Sequence, residues 1–539
     1  MRFRRLQGSG RLVRMNLPAD LDALSPEQLR ALTAQLIVEV EAKDQKIKEK
    51  EREASERDRE LRYRQTRIDQ LTHEVSVLKR QQFGRRSEQL NSEQMNLLDE
   101  AIDGDLVAIE MELEQLEPTR VERPREQPKR APLPPQLPRT DIHHEPDSTT
   151  CQCGCERIRI GEDVSEKLDY TPGVFTVERH IRGKWVCKAC ETLIQAPVPP
   201  HVIDKGVPTA GLLAQVLIAK YGDHLPLYRQ EQIFGRAGLA IPRSTLGAWV
   251  GRCGVQLQLL VDALRQAILQ QSVLHADETP VQMLSPGKGK THRAYLWAYT
   301  PTQFSELRAV VYDFAESRAG AHARTFLRGW HGKLVCDDYS GYKASFQHGI
   351  TEIGCAAHAR RKFFELHANH SSQIAGQALP FFTALYDIER EAAALNADER
   401  QRLRQHRAKT VCDALHEWLV AQRKPVAEGS AIAKALDYSL KRWDALTRYL
   451  DDGNVPIDNN WVENQIRPWA VGRSNWLFAG SLRAGQRAAA IMSLIRSAQL
   501  NGLDPLAYLK DVLTRLPTHK ASDIDALLPH HWQPLLSTA

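Results

Sequence analysis

No stretch of this 539-residue chain approaches the roughly 20 consecutive apolar residues that a membrane-crossing helix needs. The opening "MRFRRLQGSGRLVRMNLPADL" is basic but has no apolar h-region, so it does not read as a secretory signal. The compartment expected from these two absences is the cytoplasm. The residues before Met15 carry no pattern, which makes Met15 a candidate start. Nor is there a strong charge of one sign: 72 Lys and Arg against 67 Asp and Glu leave a net charge of only +5. That excludes little, because nucleic-acid binding depends on where cations cluster rather than on their sum. Apolar content of 42% and charged content of 26% are ordinary for a soluble protein. The length is too great for one core and predicts three or four domains.

A local absence is more telling. After "LSPEQLRAL", where Ser25 suits an N-cap, Pro26 the first turn and Gln28 the third helical position, neither Gly nor Pro occurs until about residue 80. Val40, Ile47, Ala54, Leu61, Ile68 and Val75 recur every seventh residue, and Leu29, Leu36, Leu71 and Leu78 occupy the second seam position. This is a coiled-coil pattern. It is poor in the middle, where Lys43, Lys50, Arg57 and Arg64 stand where Leu is wanted. The alternative is a solvated single helix; a partner is needed to bury the stripe, so the expectation is a homo-oligomer. "RQQFGRRSEQL" and a mostly acidic helical stretch follow. The first 20 residues read as an unstructured start and 21–117 as the helical N-terminal region. Residues 118–147 are rich in Pro and read as an extended linker; His143 and His144 lie in it without an evident role.

Five of the nine cysteines fall between 151 and 190, as "CQCGC" and "CKAC", around a β-rich stretch. Two Cys clusters at the ends of a hairpin-like segment are a zinc-ribbon pattern, in which tetrahedral Zn2+ replaces a core too small to stand alone. Cys187 and Cys190 have the standard two-residue gap. Cys151, Cys153 and Cys155 supply one ligand too many: Cys151 and Cys153 are the first choice, with Cys155 able to replace either. Disulfides are disfavoured in a cytoplasmic chain. A zinc-binding module over 148–200 follows.

Residues 201–270 read as helical. "PLYRQEQIFGRAGLAIPRSTLGAWVGRC" is helix, Gly-containing turn, helix, with Ser244 or Thr245 as cap; a helix-turn-helix and a plain helical hairpin fit equally. From 271 to 364 the period changes. "SVLHADETPVQML", "HRAYLWAYTP" and "LRAVVYDFAES" are strands in series; then come a helix, "GKLVCDDYSGY", and "ITEIGCAAHARRKF". That is the order of the ribonuclease-H-like fold, in which the first and fourth strands carry acids: here Asp277 and one of Asp337 and Asp338. Residues 365–454 read as a helical insertion, 455–500 as the rest of the core and 501–539 as a helical tail. In "VPIDNNWVENQIRPWAVGRSNWLFAGS", Asp458 is a natural N-cap. Asn459, Glu463 and Arg467 then share a helix face, with Arg473 beside a Gly turn. The rival reading of Glu463 and Arg467 is a surface ion pair of little worth.

Taken together, "FGRRSEQL", "IGEDVSEKLDYTPGVFTVERHIRGKWVC", "HADETPVQ", "CDDYSGY", "GCAAHARRKF", "DNNWVENQIRPWAVGRSNWLFAGS" and "IRSAQLNGLDPLAYL" resemble the large transposase of the insertion-sequence-66 family, in order and over nearly the whole chain. The resemblance implies a multidomain α+β protein: an N-terminal coiled coil, a small zinc-binding β module and a ribonuclease-H-like α/β catalytic core with a helical insertion. It implies a bacterial DDE transposase in which Asp277, Asp337 and Glu463 are catalytic and hold Mg2+ or Mn2+. "CQCGC" departs from the family's first knuckle, which leaves its ligand pair open.

Three carboxylates suit phosphoryl transfer, since phosphodiester chemistry uses two hard cations roughly 3.5–4 Å apart. Water attack would free a 3′-hydroxyl at the element's end, and that hydroxyl would attack target DNA. His358, Arg360, Arg361 and Lys362, with Arg467 and Arg473, are the expected DNA contacts, a solvated charged turn being the plainer reading of the first group. The partners implied are element ends, target DNA, a second copy of the chain and small accessory proteins of the element, but no membrane. Two other readings remain: a structure-selective nuclease on the same fold, and a DNA-binding regulator with an inactive core, which three intact acids argue against. Alternation along the strand lets only one of Asp337 and Asp338 face the site; the resemblance assigns Asp337.

Overall fold

The structure, a computed structural model, describes residues 25–83, 92–116, 132–171, 173–198, 200–203, 206–285, 290–370 and 372–534. The expected unstructured start, the "GRRSEQL" motif and the first half of the Pro-rich segment lie outside them. The chain divides into two compact units, residues 1–74 and 75–539. Helix α1, Pro26–Phe83, begins where the cap residues place it and runs unbroken through its charged middle. Within the first unit Ile37, Val38, Val40, Ile47 and Leu61 are exposed. No helix among the described residues is long and apolar enough to cross a membrane.

The second unit opens with α2, Ser92–Leu116, the acidic stretch of the sequence. It packs against α5, Arg243–Leu269, so closely that a Cβ on Gly251 would stand 2.5 Å from the Gly104 carbonyl oxygen. The buried Asp105 carboxylate of α2 pairs at 2.9 Å with Arg487, which belongs to the later helix Leu482–Leu500.

A four-stranded sheet follows, from β1 (Arg139–His144), β2 (Arg157–Thr171), β3 (Val174–Cys187) and β4 (Leu193–Gln195). The long β2–β3 hairpin brings Arg157 opposite Cys187, so its open end gathers the two Cys clusters. Strand β1 corrects the linker reading: the tail of the Pro-rich segment is an edge strand, parallel to β3 from Arg139↔Val177 to His144↔Arg182. The run from 139 to 145 contains no Pro, so its N–H groups are free to join a ladder.

The helical stretch holds α3 (Ala210–Leu217), α4 (Leu227–Arg236) and α5. Pro242, not Ser244 or Thr245, is at the N-cap of α5. Leu246, Trp249, Val250, Leu257, Leu260 and Leu264 bury α5 along its length. The second member of this helix pair is a core helix.

The five-stranded sheet has β5 (Val273–Ser285), β6 (Lys290–Pro301), β7 (Val311–Ala315), β8 (Gly332–Val335) and β9 (Ile350–Ile353), with α6 (Gly320–Phe326) before β8 and α7 (Ser340–Lys343) after it. Its order is β7-β6-β5-β8-β9. The β5–β6 and β6–β7 pairs are antiparallel, β5–β8 and β8–β9 parallel. Alternation divides the faces: Leu274, Ala276, Leu334 and Cys336 join the large core under α5, whereas Val273, Val335 and Ile353 face the helical excursion.

That excursion comprises α8 (Ala356–His370), α9 (Gln373–Ala392), α10 (Ala397–Leu403), α11 (Lys409–Arg423), α12 (Ala431–Lys441) and α13 (Trp443–Thr447). It leaves and returns at one place: the Ala356 N–H donates to the Ile457 carbonyl (3.0 Å), and the Asn459 N–H to Cys355 Sγ (3.2 Å). Then come α14 (Asn460–Trp476), α15 (Leu482–Leu500) and α16 (Pro505–Arg515). The N-cap of α14 is Asn459, not Asp458, whose carboxylate instead accepts from the Asn460 N–H (3.1 Å).

Candidate functional site

Strands β5 and β8 are paired in parallel at Val273↔Lys333, Leu274↔Leu334 and His275↔Val335, residue numbers sixty apart at every step. Two residues beyond the last pair, the same offset falls on Asp277 and Asp337. Both therefore continue the face of His275 and Val335, Asp277 within β5 and Asp337 just past the carboxyl end of β8. Glu463 sits in the first turn of α14, and α14 is fastened to β5 at both ends. At its start Asn459 is wholly buried: His275 Nδ1 donates to its Oδ1 (2.8 Å), and its Nδ2 donates to the Ala276 carbonyl (3.1 Å). Past its end, Ala479 exchanges backbone bonds with Gln282 and Leu284 of β5. The stripe of Asn459, Glu463 and Arg467 is accordingly not one surface. Asn459 is an inward brace, Glu463 is half-buried and Arg467 is exposed.

The electrostatics report the convergence. Burial, then the charges of Glu278, Asp337 and Glu463, push the Asp277 carboxyl well above the ordinary carboxylate range. Asp337 accepts the Tyr339 N–H (2.9 Å) and has no ion pair among the described residues. Asp338 is the paired member, 3.3 Å from Lys343 and 3.4 Å from the buried Arg442. Arg442 also reaches Glu352 (2.5 Å) and the Asp337 carbonyl (3.4 Å).

Asp337 and Asp338 both line a cleft of about 520 Å³, with Arg318, His358, Arg361 and Lys362. The "HARRK" cluster lies in the opening turns of α8 rather than in a turn. Arg361 stands 3.8 Å from Glu463, and Lys362 lies over the Tyr438 ring at 4.5 Å. Burial lowers the His358 pKa, against the pull of Glu463. Arg360, half-buried, packs over Phe364 (5.4 Å). On α14, exposed Arg473 donates to the Pro280 carbonyl (3.0 Å). Sequence reasoning missed Glu278, Arg318 and Arg442; the one signal was that Glu278, beside Asp277, repeats the acid doublet of Asp337 and Asp338.

At the far end of the β2–β3 hairpin, the thiols of Cys151, Cys153, Cys187 and Cys190 all lie within 4.8 Å of one another. Sγ–Sγ separations are 3.1 Å for Cys151–Cys190, 3.6 Å for Cys153–Cys187 and 3.8 Å for Cys153–Cys190. Cys155 stands outside this group. A bond from the Cys153 backbone, then the Thr192 hydroxyl, draws the Cys151 thiol down to about 5, and one from the Cys190 backbone lowers Cys187. N–H groups aimed at thiolates fit a closed four-sulfur metal centre.

A family model described as "Transposase IS66 family" matches residues 205–487, more than half of the chain. The chain belongs to the IS66 transposase family. Its "IS66 C-terminal element" spans 493–530 and the "zinc-finger binding domain of transposase IS66" spans 148–191. Residues 70–142 match a model described as "Transposase C of IS166 homeodomain". Among curated relatives, the uncharacterized protein y4qI of Sinorhizobium fredii (strain NBRC 101917 / NGR234) is 37% identical over 87% of this chain and 90% of its own length. The uncharacterized protein y4jD of the same strain is 38% identical over 74% of this chain and 81% of its own. This IS66 transposase is thus a mixed α+β protein with a zinc-finger domain, and its partner is DNA.

Proposed function

We propose that this IS66 transposase cuts the ends of its element and joins them to target DNA at one site formed by Asp277, Asp337 and Glu463. The shared sixty-residue register of Asp277 and Asp337, with Glu463 pinned beside them, carries the reading. Asp337 and Glu463, whose charges help raise the proton affinity of Asp277, complete a donor set suited to Mg2+ or Mn2+. Bound there, the cations would activate the attacking oxygen and steady the leaving one. The sheet order, with its second strand antiparallel, supports a ribonuclease-H-like core. His358, Arg361 and Lys362 face the same cleft as Asp337 and would hold the strand by its phosphates, with Arg360, Arg467 and Arg473 as outer contacts. Water would break the phosphodiester and free a 3′-hydroxyl; that hydroxyl would then displace a target-strand oxygen at the same phosphate-binding position. The Cys151, Cys153, Cys187 and Cys190 thiolates would hold a structural Zn2+. The exposed apolar residues of α1 would meet those of a second copy.

Incubation with a duplex of the element's own terminal repeat and Mn2+ should give nicked and joined products. Glu463→Gln should bind that duplex and leave it whole. Nicks without joined strands would make the protein a nuclease, and normal cutting by Glu463→Gln in Mg2+ would remove Glu463 from the site.

A further inference from the structure

Glu278 is the odd group beside the site. Its side chain is 1% exposed, and its charge adds to the crowd around Asp277. A buried carboxylate is costly unless paired and hydrogen-bonded. Here one oxygen takes both Nε (2.8 Å) and Nη2 (2.6 Å) of Arg318, and the other takes the Tyr342 hydroxyl (2.9 Å). Arg318, in the link from β7 to α6, is held a second way: its guanidinium lies 4.0 Å over the Tyr339 ring, and the Tyr339 hydroxyl donates to its carbonyl oxygen.

So much fixing would be expected of a structural arginine, yet the Arg318 side chain is 44% exposed and lines the cleft together with Asp337, Arg361 and Lys362. Among the described residues its Nη1 has no partner. Glu278 takes the inner edge of the fork, and the outer edge stays presented to the cleft. A guanidinium fork held rigid with donors to spare matches a phosphate, and less ordering is lost when it binds than for a free side chain. We propose that Arg318 is a further DNA-binding residue of the site, gripping a strand phosphate next to the carboxylates, and that Glu278 is the positioning residue that aims it. This rests on the active-site reading above for what the neighbouring acids do, but its test does not.

Each phosphate contact on duplex DNA contributes about 0.9 to the slope of log affinity against log salt. Binding is measured without divalent metal on a fluorescent terminal-repeat duplex and on a scrambled duplex of equal length. The double variant Arg318→Met with Glu278→Gln leaves no buried charge unpaired. It should melt near the parent, bind both duplexes more weakly and lose about 0.9 of the slope. Should it melt early, Arg318→Gln, which leaves Glu278 a hydrogen-bond donor, gives the same reading. Glu278→Gln alone keeps the cation: it should retain the slope and bind normally but cut at least several-fold more slowly. A parental slope in the folded Arg318 variants overturns the phosphate contact; parental cutting by Glu278→Gln overturns the positioning role. If the parent protein fails to cut in Mn2+, the three-carboxylate site falls, while the salt slope still decides Arg318.

Discussion

Asp337 and Asp338 are the same chemical group one residue apart, and their surroundings give them different work. Asp338 is held by Lys343 and Arg442; among the described residues Asp337 is held by a backbone N–H. The doublet of Asp277 and Glu278 is divided in the same way, with Arg318 on Glu278. In each doublet, among the described residues, one acid has no ion pair and its neighbour pairs with an arginine. Asp337→Asn should therefore abolish strand cutting with DNA binding retained. Asp338→Asn should cut within a few-fold of the parent and lose less than about 1 kcal/mol, because its ion pairs are partly exposed. A cleavage gel and a melting curve on each variant check this; an inactive Asp338→Asn beside an active Asp337→Asn would reverse the assignment. Alternation was legible at this scale only in part: it put Asp337 and Asp338 on opposite sides, and the family resemblance, not the pattern, assigned Asp337 to the site. The arginines were not, since Arg442 reaches the doublet from over a hundred residues away and nothing local marks it.

Among elements, the decisive joint is between β5 and α14. Asn459 gives its side chain to His275 and Ala276, two and one residues before Asp277, and stands four residues before Glu463. Asn459→Ala would leave the buried His275 Nδ1 without its partner, at a cost of about 1–3 kcal/mol. Melting should fall accordingly, and cutting should fall further than DNA binding. Equal stability with equal activity would deny the brace. The sequence pattern placed Asn459 on the site face because it records spacing along one helix, not a partner 184 residues upstream.

The zinc-finger sheet makes two predictions. Cys155→Ser should keep bound zinc, whereas Cys153→Ser should lose it and melt the sheet before the core; metal analysis and differential scanning separate them. His144 and His180 share a hydrogen bond of 2.9 Å between β1 and β3, and burial lowers His180 from 6.5 to about 4. A folded pKa below the unfolded one favours the neutral ring. This contribution is whole above pH 6.5 and drains away as the pH falls towards about 4. Hydrogen exchange in β1 should rise across that window, and His180→Phe should flatten the rise. The hairpin itself was legible from its Cys ends and β-rich middle. Strand β1 was not, because a parallel edge strand takes its register from residues far along the chain, and the prolines before it read as linker.

At the scale of the whole molecule, α1 presents Ile47 and Leu61 to solvent while Leu71 and Leu78 are already buried. Self-association is therefore best tested at the exposed pair. Ile47→Lys with Leu61→Lys should shift the full-length protein towards monomer in analytical ultracentrifugation, with little change in melting. An unchanged distribution would mean that the helix has no partner of its own kind.

The closing point of the helical excursion has a further meaning. Cys355 and Asn459 are 104 residues apart in the chain and joined by one hydrogen bond in space. A segment whose two ends meet is a cassette: its length is invisible to the sheet, and helices can be gained or lost inside it while Asp277, Asp337 and Glu463 stay in place. Not every part is interchangeable: α8 carries His358, Arg361 and Lys362 into the cleft, and Arg442 reaches out of the cassette to Asp338 and the Asp337 backbone. Any shortened relative of this chain must find another cation for that spot or give up the second acid of its doublet.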